Sequence, residues 1–243
     1  MATDCRNCPL RPRPLFDDMS ESELAFMRNF KTGELEVEAG AQLMMEGANA
    51  PHLYTALEGQ GLRYKTLETG ERQVINFVLP GDFIGLQAGV MNVMYHTVEA
   101  TTRMRLCVFN RAALWSLFEE QPERAYDLTW LSAVEERFLG ESLAMLGHMS
   151  AEQRIARAFL RLQDRGTALG MVKNREMPLP YRQQDLADAL GLSLVHTNKT
   201  LKSMRERGLA DWRGGSMKIL DYSGLCELAE MEEDRSLTPR PLI

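Results

Sequence analysis

The sequence lacks the features that define several large classes of protein. No stretch approaches the roughly 18 consecutive apolar residues of a membrane-spanning helix, and the N-terminal stretch has no apolar core typical of a secretory signal. Four cysteines in 243 residues are too few for a disulfide framework, so we expect a cytoplasmic protein with reduced thiols. No Ser/His/Asp constellation, phosphate-binding loop or zinc-helix motif occurs, which predicts that the protein is not an enzyme.

The composition itself is ordinary, but the charge is unevenly distributed. Hydrophobic residues make up 44% and charged residues 26% of the chain, as in globular proteins, and the length allows two domains. Residues 1–149 hold 13 basic and 21 acidic residues, whereas residues 150–243 hold 15 and 13. The net charge of −6 therefore comes from the first part, which favours an acidic control domain joined to a nucleic-acid-binding one.

The most informative stretch runs from Tyr181 to Leu220. The pattern predicts a short helix over 182–190 that Gly191 ends, and a second helix for which Ser193 is the N-cap. Two helices joined by a short glycine turn are typical of the helix-turn-helix, whose second helix enters the major groove of DNA. Gly214-Gly215 between two short apolar runs predicts a hairpin, which would be the wing of a winged helix.

Two faces alternate along the second helix. Thr197, Leu201 and Met204 lie on the face predicted to pack on the first helix, whereas Asn198 and Lys199 lie on another. Lysine can bond guanine and asparagine can pair with adenine, so the second face suits base recognition. The alternative is an ordinary helical hairpin with solvated lysines. The residues predicted to contact DNA are Arg182, Gln183, Ser193, Leu194, Val195, His196, Asn198, Lys199, Lys202, Arg213 and Lys218.

The first half of the chain has the pattern of an antiparallel β-domain. Ser20 and Glu23 form a capping-box motif, which predicts a helix over 21–30. Between 33 and 110, glycines recur about every ten residues and separate short strand-like runs, as in a barrel or jelly roll. The predicted strands are 53–57, 62–67, 73–79, 97–100 and 104–109.

A long helix is predicted from Pro122 to Gly147, spanning roughly 40 Å. We interpret its apolar face as a homodimer seam partly covered by the β-domain; the alternative is packing only within the chain. Ser150 and Gln153 form a second capping box, so 147–149 is predicted to be a joint. The predicted seam consists of Leu128, Leu131, Val134, Phe138 and Met145. The predicted domains are an arm at 1–19, a β-domain at 20–120, the long helix at 121–149 and a DNA-binding domain at 150–243, which ends in an acidic helix or tail at Glu227–Arg235.

The order of these parts resembles the CRP/FNR family of bacterial transcription regulators. The resemblance rests on LYTALEGQGLRYKTLETGERQVINFVLPGDFIGL, on ERFLGESLAMLGHMSAEQRIARAFLRL and on QQDLADALGLSLVHTNKTLKSMRERGL. It implies an α+β fold with an antiparallel, cyclic-nucleotide-binding-like β-roll, a long dimerisation helix and a winged helix-turn-helix. It further implies a homodimer that reads two half-sites about 34 Å apart and, in an activator, contacts RNA polymerase.

The resemblance does not identify an effector. Members that bind cyclic AMP carry an Arg-Ser-Ala or Arg-Thr-Ala cassette, but Val93–Ala100 contains no arginine, so cyclic AMP is not expected. Oxygen-sensing members hold a [4Fe–4S] cluster with three N-terminal cysteines and one in the β-roll. Cys5, Cys8 and Cys107 resemble three of these, whereas Pro14 stands near the expected third position.

Several roles for these cysteines stay open. Asp4 or Asp17 could complete a cluster site, Cys5, Cys8 and Cys107 could form a thiol redox switch, or the thiols could have no role. A thiol enzyme is not expected, because the Cys5–Cys8 pair lacks the strand–helix context that activates such thiols.

The recognition helix also departs from known members. Oxygen-sensing relatives place Glu, Ser and Arg where this chain has Val195, Asn198 and Lys199, so the operator sequence cannot be transferred. The leading hypothesis is therefore a DNA-binding transcription regulator of unidentified signal. The alternative is a regulatory protein whose β-roll binds a small molecule or nucleotide and whose C-terminal module contacts protein.

Overall fold

The computed structural model describes residues 3–235 and 237–243, which form two compact units. Unit 1 comprises Met1–Glu135 together with Pro239–Ile243, and unit 2 comprises Glu136–Thr238. No helix of the described residues is long and apolar enough to cross a lipid bilayer. The predicted domain boundaries stay predictions; in the structure, the last five residues of the predicted C-terminal domain belong to unit 1.

Unit 1 is built on two four-stranded antiparallel sheets. One has the order β1-β8-β3-β6 and the other β2-β7-β4-β5, and the residues between them form an apolar core that includes Met44, Ala56 and Leu106. The predicted strands are confirmed as β3, β4, β5, β7 and β8. The strands are β1 (Lys31–Val37), β2 (Gln42–Met44), β3 (His52–Glu58), β4 (Gly61–Thr66), β5 (Arg72–Val78), β6 (Phe83–Ile84), β7 (Thr97–Ala100) and β8 (Met104–Asn110).

Four helices accompany these strands, along with 3-10 turns at Cys5–Asn7 and Arg111–Ala113. The Ser20 capping box is present: the Glu23 carboxylate accepts the Ser20 N–H at 2.7 Å, and the Ser20 hydroxyl accepts the Glu23 N–H. It starts α1, which buries Leu24, Met27 and Phe30 as predicted. The helices are α1 (Glu21–Phe30), α2 (Leu86–Met91), α3 (Leu114–Glu120) and α4 (Pro122–His148).

The 27-residue helix α4 confirms the predicted long helix, whereas the predicted dimer seam on it stays a prediction. Leu128, Leu131 and Met145 of that seam are buried by the chain's own packing. Val134 and Phe138 are half-buried. The large apolar side chains that α4 does expose are Tyr126 at 70%, Leu139 at 49% and Leu143 at 73%.

Unit 2 continues from α4 into a helical domain with a small antiparallel sheet of order β10-β11-β9. The Ser150 capping box starts α5, whose buried face includes Ile155 and Phe159. The stretch Glu227–Arg235, predicted as an acidic helix or tail, contributes only its first three residues to a helix, which Asp221 caps and which begins at Tyr222. The elements are α5 (Ala151–Ala168), β9 (Glu176–Pro178), α6 (Gln183–Leu190), α7 (Leu194–Glu206), β10 (Ala210–Arg213), β11 (Ser216–Ile219) and α8 (Tyr222–Ala229).

The predicted joint at 147–149 is bridged by a single side chain. The Arg154 guanidinium donates to the carbonyl of Leu146 at 2.7 Å, of Met149 at 2.9 Å and of Leu190 at 3.0 Å. It thereby satisfies carbonyls at the ends of α4 and α6 that have no partner within their own helices. The division between the two units falls instead between Glu135 and Glu136, inside α4.

Candidate nucleic-acid interface

The turn between α6 and α7 has the local geometry that the sequence predicts. Gly191 adopts a left-handed conformation with φ +61°, which glycine tolerates without a side-chain clash. The Leu192 N–H then donates to the Ala187 carbonyl at 3.0 Å, and the Ser193 hydroxyl accepts the His196 N–H at 3.2 Å. A left-handed glycine followed by a capped helix start is the geometry of a helix-turn-helix.

Helix α7 separates a buried face from an exposed one. Thr197 and Met204 are buried as predicted, and Thr200, which the pattern did not single out, is buried with them. Val195 on the opposite face is 79% exposed, so its apolar side chain contributes little to packing within the chain. Of the eleven predicted contact residues, Gln183 is half-buried and the other ten are exposed.

The wing is confirmed as a two-stranded hairpin. Gly214 and Gly215 both have positive φ, at +61° and +76°, as the tight turn between β10 and β11 requires. Arg213 pairs with Ser216 at the tip, where both Arg213 and Lys218 are exposed. The stretch 177–180, predicted only as an extended lead, contributes β9, which pairs with β11.

Side chains from α5 hold the recognition helix and the wing in place. The Glu152 carboxylate accepts from Arg207 at 2.9 Å, and Ser203 lies 3.4 Å from its other oxygen. The Phe159 ring packs edge-on against the Trp212 ring, with the ring centroids 6.0 Å apart. The Trp212 indole N–H donates to the Leu179 carbonyl. Glu152 and Arg154 were not among the predicted site residues, because neither reaches the exposed face.

Three of the predicted cations carry their own counter-ions. The Arg182 guanidinium lies 2.7 Å from the buried Asp185 carboxylate, which also accepts the Arg182 N–H at the start of α6. Arg213 forms a forked pair with Asp211, its nearest bond being 2.5 Å, and this pair raises the pKa of Arg213. Lys202 lies 3.7 Å from the Glu206 carboxylate one turn further along α7. Lys199 on α7 and Lys218 on β11 supply the remaining positive charge of the predicted set.

The cysteines of unit 1 do not fit an iron–sulfur centre. Burial raises the pKa of Cys107 to about 12 and that of Cys5 above its usual value, although the nearby Lys31 ammonium opposes both shifts. Both shifts disfavour the thiolate form that cluster ligands take, so a cluster would have to displace more tightly held protons on binding. Asp4, a proposed extra ligand, accepts the Arg6 N–H and pairs with Arg28.

Candidate ligands elsewhere in the described part of the chain do not complete a metal site either. Across residues 3–235 and 237–243, no group of three His, Cys, Asp or Glu side chains is arranged to hold a metal ion. Asp17, the other proposed ligand, donates its main-chain N–H to the Arg240 carbonyl, and its side chain is exposed. The fourth cysteine, Cys226, is buried in α8 of unit 2. A redox role for Cys5, Cys8 and Cys107 stays a prediction.

A cyclic phosphate also lacks a cationic partner in the β-roll. The segment 93–100 contains no arginine or lysine, and its Thr97 hydroxyl accepts the Glu46 N–H. Arg63, on neighbouring β4, donates to the Phe83 carbonyl at 2.9 Å and lies 3.3 Å from Glu135. That cyclic AMP is not the effector stays a prediction.

Comparison with known proteins gives the family. Residues 153–228 match the Crp-like helix-turn-helix domain, and residues 34–121 match the cyclic nucleotide-binding domain. The nitrogen fixation regulation protein FixK of Bradyrhizobium diazoefficiens is 28% identical over 226 residues, or 93% of each chain. The chain belongs to the CRP/FNR family of transcription regulators.

Further relatives agree with CRP/FNR membership over nearly the whole length. The transcriptional activator protein FnrL of Cereibacter sphaeroides is 26% identical over 237 residues, which is 96% of this chain and 94% of that protein. The structure of FixK2 from Bradyrhizobium japonicum is similar with a TM-score of 0.72 and 26% identity, covering 80% of this chain and 96% of that one. As a CRP/FNR regulator, the chain is not an enzyme, and its helix-turn-helix is a DNA-binding domain.

Proposed function

We propose that this CRP/FNR regulator binds a palindromic operator as a homodimer, with α7 of each copy in the major groove. The exposed face of α7 carries the proposal: it presents Val195, Asn198 and Lys199 side by side, with no packing role in unit 2. Val195 suits a thymine methyl, Asn198 an adenine edge and Lys199 a guanine edge. Ser193 and the wing residues Arg213 and Lys218 suit phosphates. The other predicted contact residues flank them: Arg182, Gln183, Leu194, His196 and Lys202.

The homodimer is proposed to form through the exposed apolar side of α4. Leu139 and Leu143 lie one turn apart on the same face of this helix, and such exposed apolar groups gain free energy when a second copy covers them. Two copies related by a two-fold axis present two copies of α7, which matches a palindrome with half-sites about 34 Å apart.

The DNA experiment begins with selection of a binding site from a random duplex pool, followed by affinity measurements on that site. We expect Lys199→Ala to weaken specific binding about 10- to 100-fold, since one base-edge contact contributes roughly 1–3 kcal/mol. Lys65→Ala, which removes the same charge from exposed β4, is the matched control. Equal affinities for Lys199→Ala, Lys65→Ala and the parent protein would contradict the proposed role of α7.

The salt dependence of the same binding tests the wing and the competing hypothesis. A phosphate contact at Lys218 should lower the slope of log affinity against log salt by about 1 when Lys218→Ala removes it, for every DNA sequence alike. If unit 2 instead contacted protein, no saturable DNA binding would be seen and no slope could be measured.

The seam is tested by oligomeric state. Leu143→Glu places a charge in the proposed apolar contact and should convert the dimer to monomer in light scattering after gel filtration. Glu141→Gln, on the same stretch of helix, is the control and should leave the dimer intact. A dimer that survives Leu143→Glu would refute this seam. Contact with RNA polymerase is proposed only for the case in which the regulator activates transcription.

A further inference from the structure

The last described residues, 239–243, occupy a built site in unit 1. The Arg240 N–H donates to the Leu15 carbonyl at 2.9 Å, and the Asp17 N–H donates to the Arg240 carbonyl at 3.0 Å. The Arg240 guanidinium lies 3.0 Å from the Asp82 carboxylate. Main chain and side chain of Arg240 are thus both bound, although 158 residues separate it from Asp82 along the chain.

The remaining residues of this segment are bound by buried groups. The Arg124 guanidinium donates to the Leu242 carbonyl at 3.1 Å, and the Thr55 hydroxyl donates to the main-chain oxygen of Ile243. Both donors are more than nine-tenths buried, and so are the side chains of Leu242 and Ile243. Buried donors without acceptors are costly, so Thr55 and Arg124 form a site that suits a peptide main chain.

A second anchor holds the same part of the chain in unit 2. The Arg235 guanidinium donates to the Asp164 carboxylate from two nitrogens, at 2.9 and 3.1 Å. It also donates to the Tyr222 hydroxyl at 2.9 Å, and Tyr222 in turn lies 3.2 Å from Asp164. The Arg235 side chain is largely buried in this cluster. Arg235 is therefore fixed in unit 2, only five residues before Arg240 is fixed in unit 1.

We propose that this site on unit 1 is a peptide-binding site whose occupant is the chain's own Arg-Pro-Leu-Ile sequence. The Asp82 carboxylate binds the Arg240 guanidinium, and Thr55 and Arg124 bind the main chain of the last two residues. Because unit 1 alone supplies these contacts, a separate peptide of the same sequence should satisfy them.

The docking site is tested with a chain shortened to end at Thr238. A fluorescently labelled Thr-Pro-Arg-Pro-Leu-Ile peptide should bind this folded variant saturably in an anisotropy titration, whereas the full chain should bind it at least 10-fold more weakly because its site is filled. A peptide of the same composition in scrambled order is the control. A shortened chain with unchanged circular dichroism that fails to bind the peptide would overturn the proposal.

If the shortened chain does not fold, Arg240→Ala in the full chain tests the same docking site. We expect it to lower the melting temperature and to admit the labelled peptide, whereas Arg13→Ala, at an exposed arginine of unit 1, should do neither. If Arg240→Ala behaves like Arg13→Ala, the docking site has no energetic role and the proposal fails.

Discussion

Acid should destabilise unit 1 through His96, between α2 and β7. Burial lowers the pKa of His96 from 6.5 to about 4, and the positive charges of Arg63 and Lys65 act in the same direction against the opposing Glu46. Folded His96 therefore stays neutral at pH values where the unfolded chain already binds a proton. A depressed folded pKa means that the stabilisation is complete above pH 6.5 and is lost as the pH falls towards 4.

The size of this effect follows from the two pKa values. Between pH 8 and pH 5, His96 should cost about 2 kcal/mol of unfolding free energy. The assay is urea unfolding of the parent protein and of His96→Gln at pH 8, 6 and 5. The parent should lose about 2 kcal/mol more than the variant over this range. Parallel losses in both proteins would show that His96 titrates normally and would refute the reasoning.

Two further predictions concern the backbone. Gly81→Ala should cost roughly 2–4 kcal/mol in urea unfolding, because an added Cβ would stand 2.1 Å from the Phe16 ring at a φ of +88°. Gly70→Ala has nearly the same φ but open space, so it should cost only about 1–2 kcal/mol; equal costs would contradict the assigned clash. Ser150→Ala removes the hydroxyl that accepts the Gln153 N–H, so it should destabilise unit 2 by about 1 kcal/mol in the same assay. An unchanged free energy of unfolding would show that this cap does not stabilise the protein.

The parts of the fold that could be predicted are those set by neighbouring residues. Both serine capping boxes and the Gly214-Gly215 turn depend on contacts within a few residues, so their sequence signals are sufficient. Strand β1 was not predicted, because Lys-Thr-Gly-Glu-Leu-Glu-Val offers few apolar side chains. It forms because β8 supplies hydrogen-bond partners more than 60 residues away.

The candidate site also has parts that the sequence predicts and parts that it does not. The exposed face of α7 could be predicted because helical spacing alone separates Asn198 and Lys199 from the buried Met204. The apolar side chains that α4 leaves exposed could not be predicted, because several apolar faces follow the same spacing and only the folded chain shows which one its own residues cover. Docking of the 239–243 segment was equally inaccessible, since its partners Thr55 and Asp82 lie far away in the sequence.

The guanidinium of Arg154 also links three parts of unit 2 through one side chain. Because it bonds carbonyls before and after the helix break, it connects the last turn of α4 to the end of α6, the helix that precedes the recognition helix. Loss of this one side chain would therefore leave three main-chain acceptors without their donor at once.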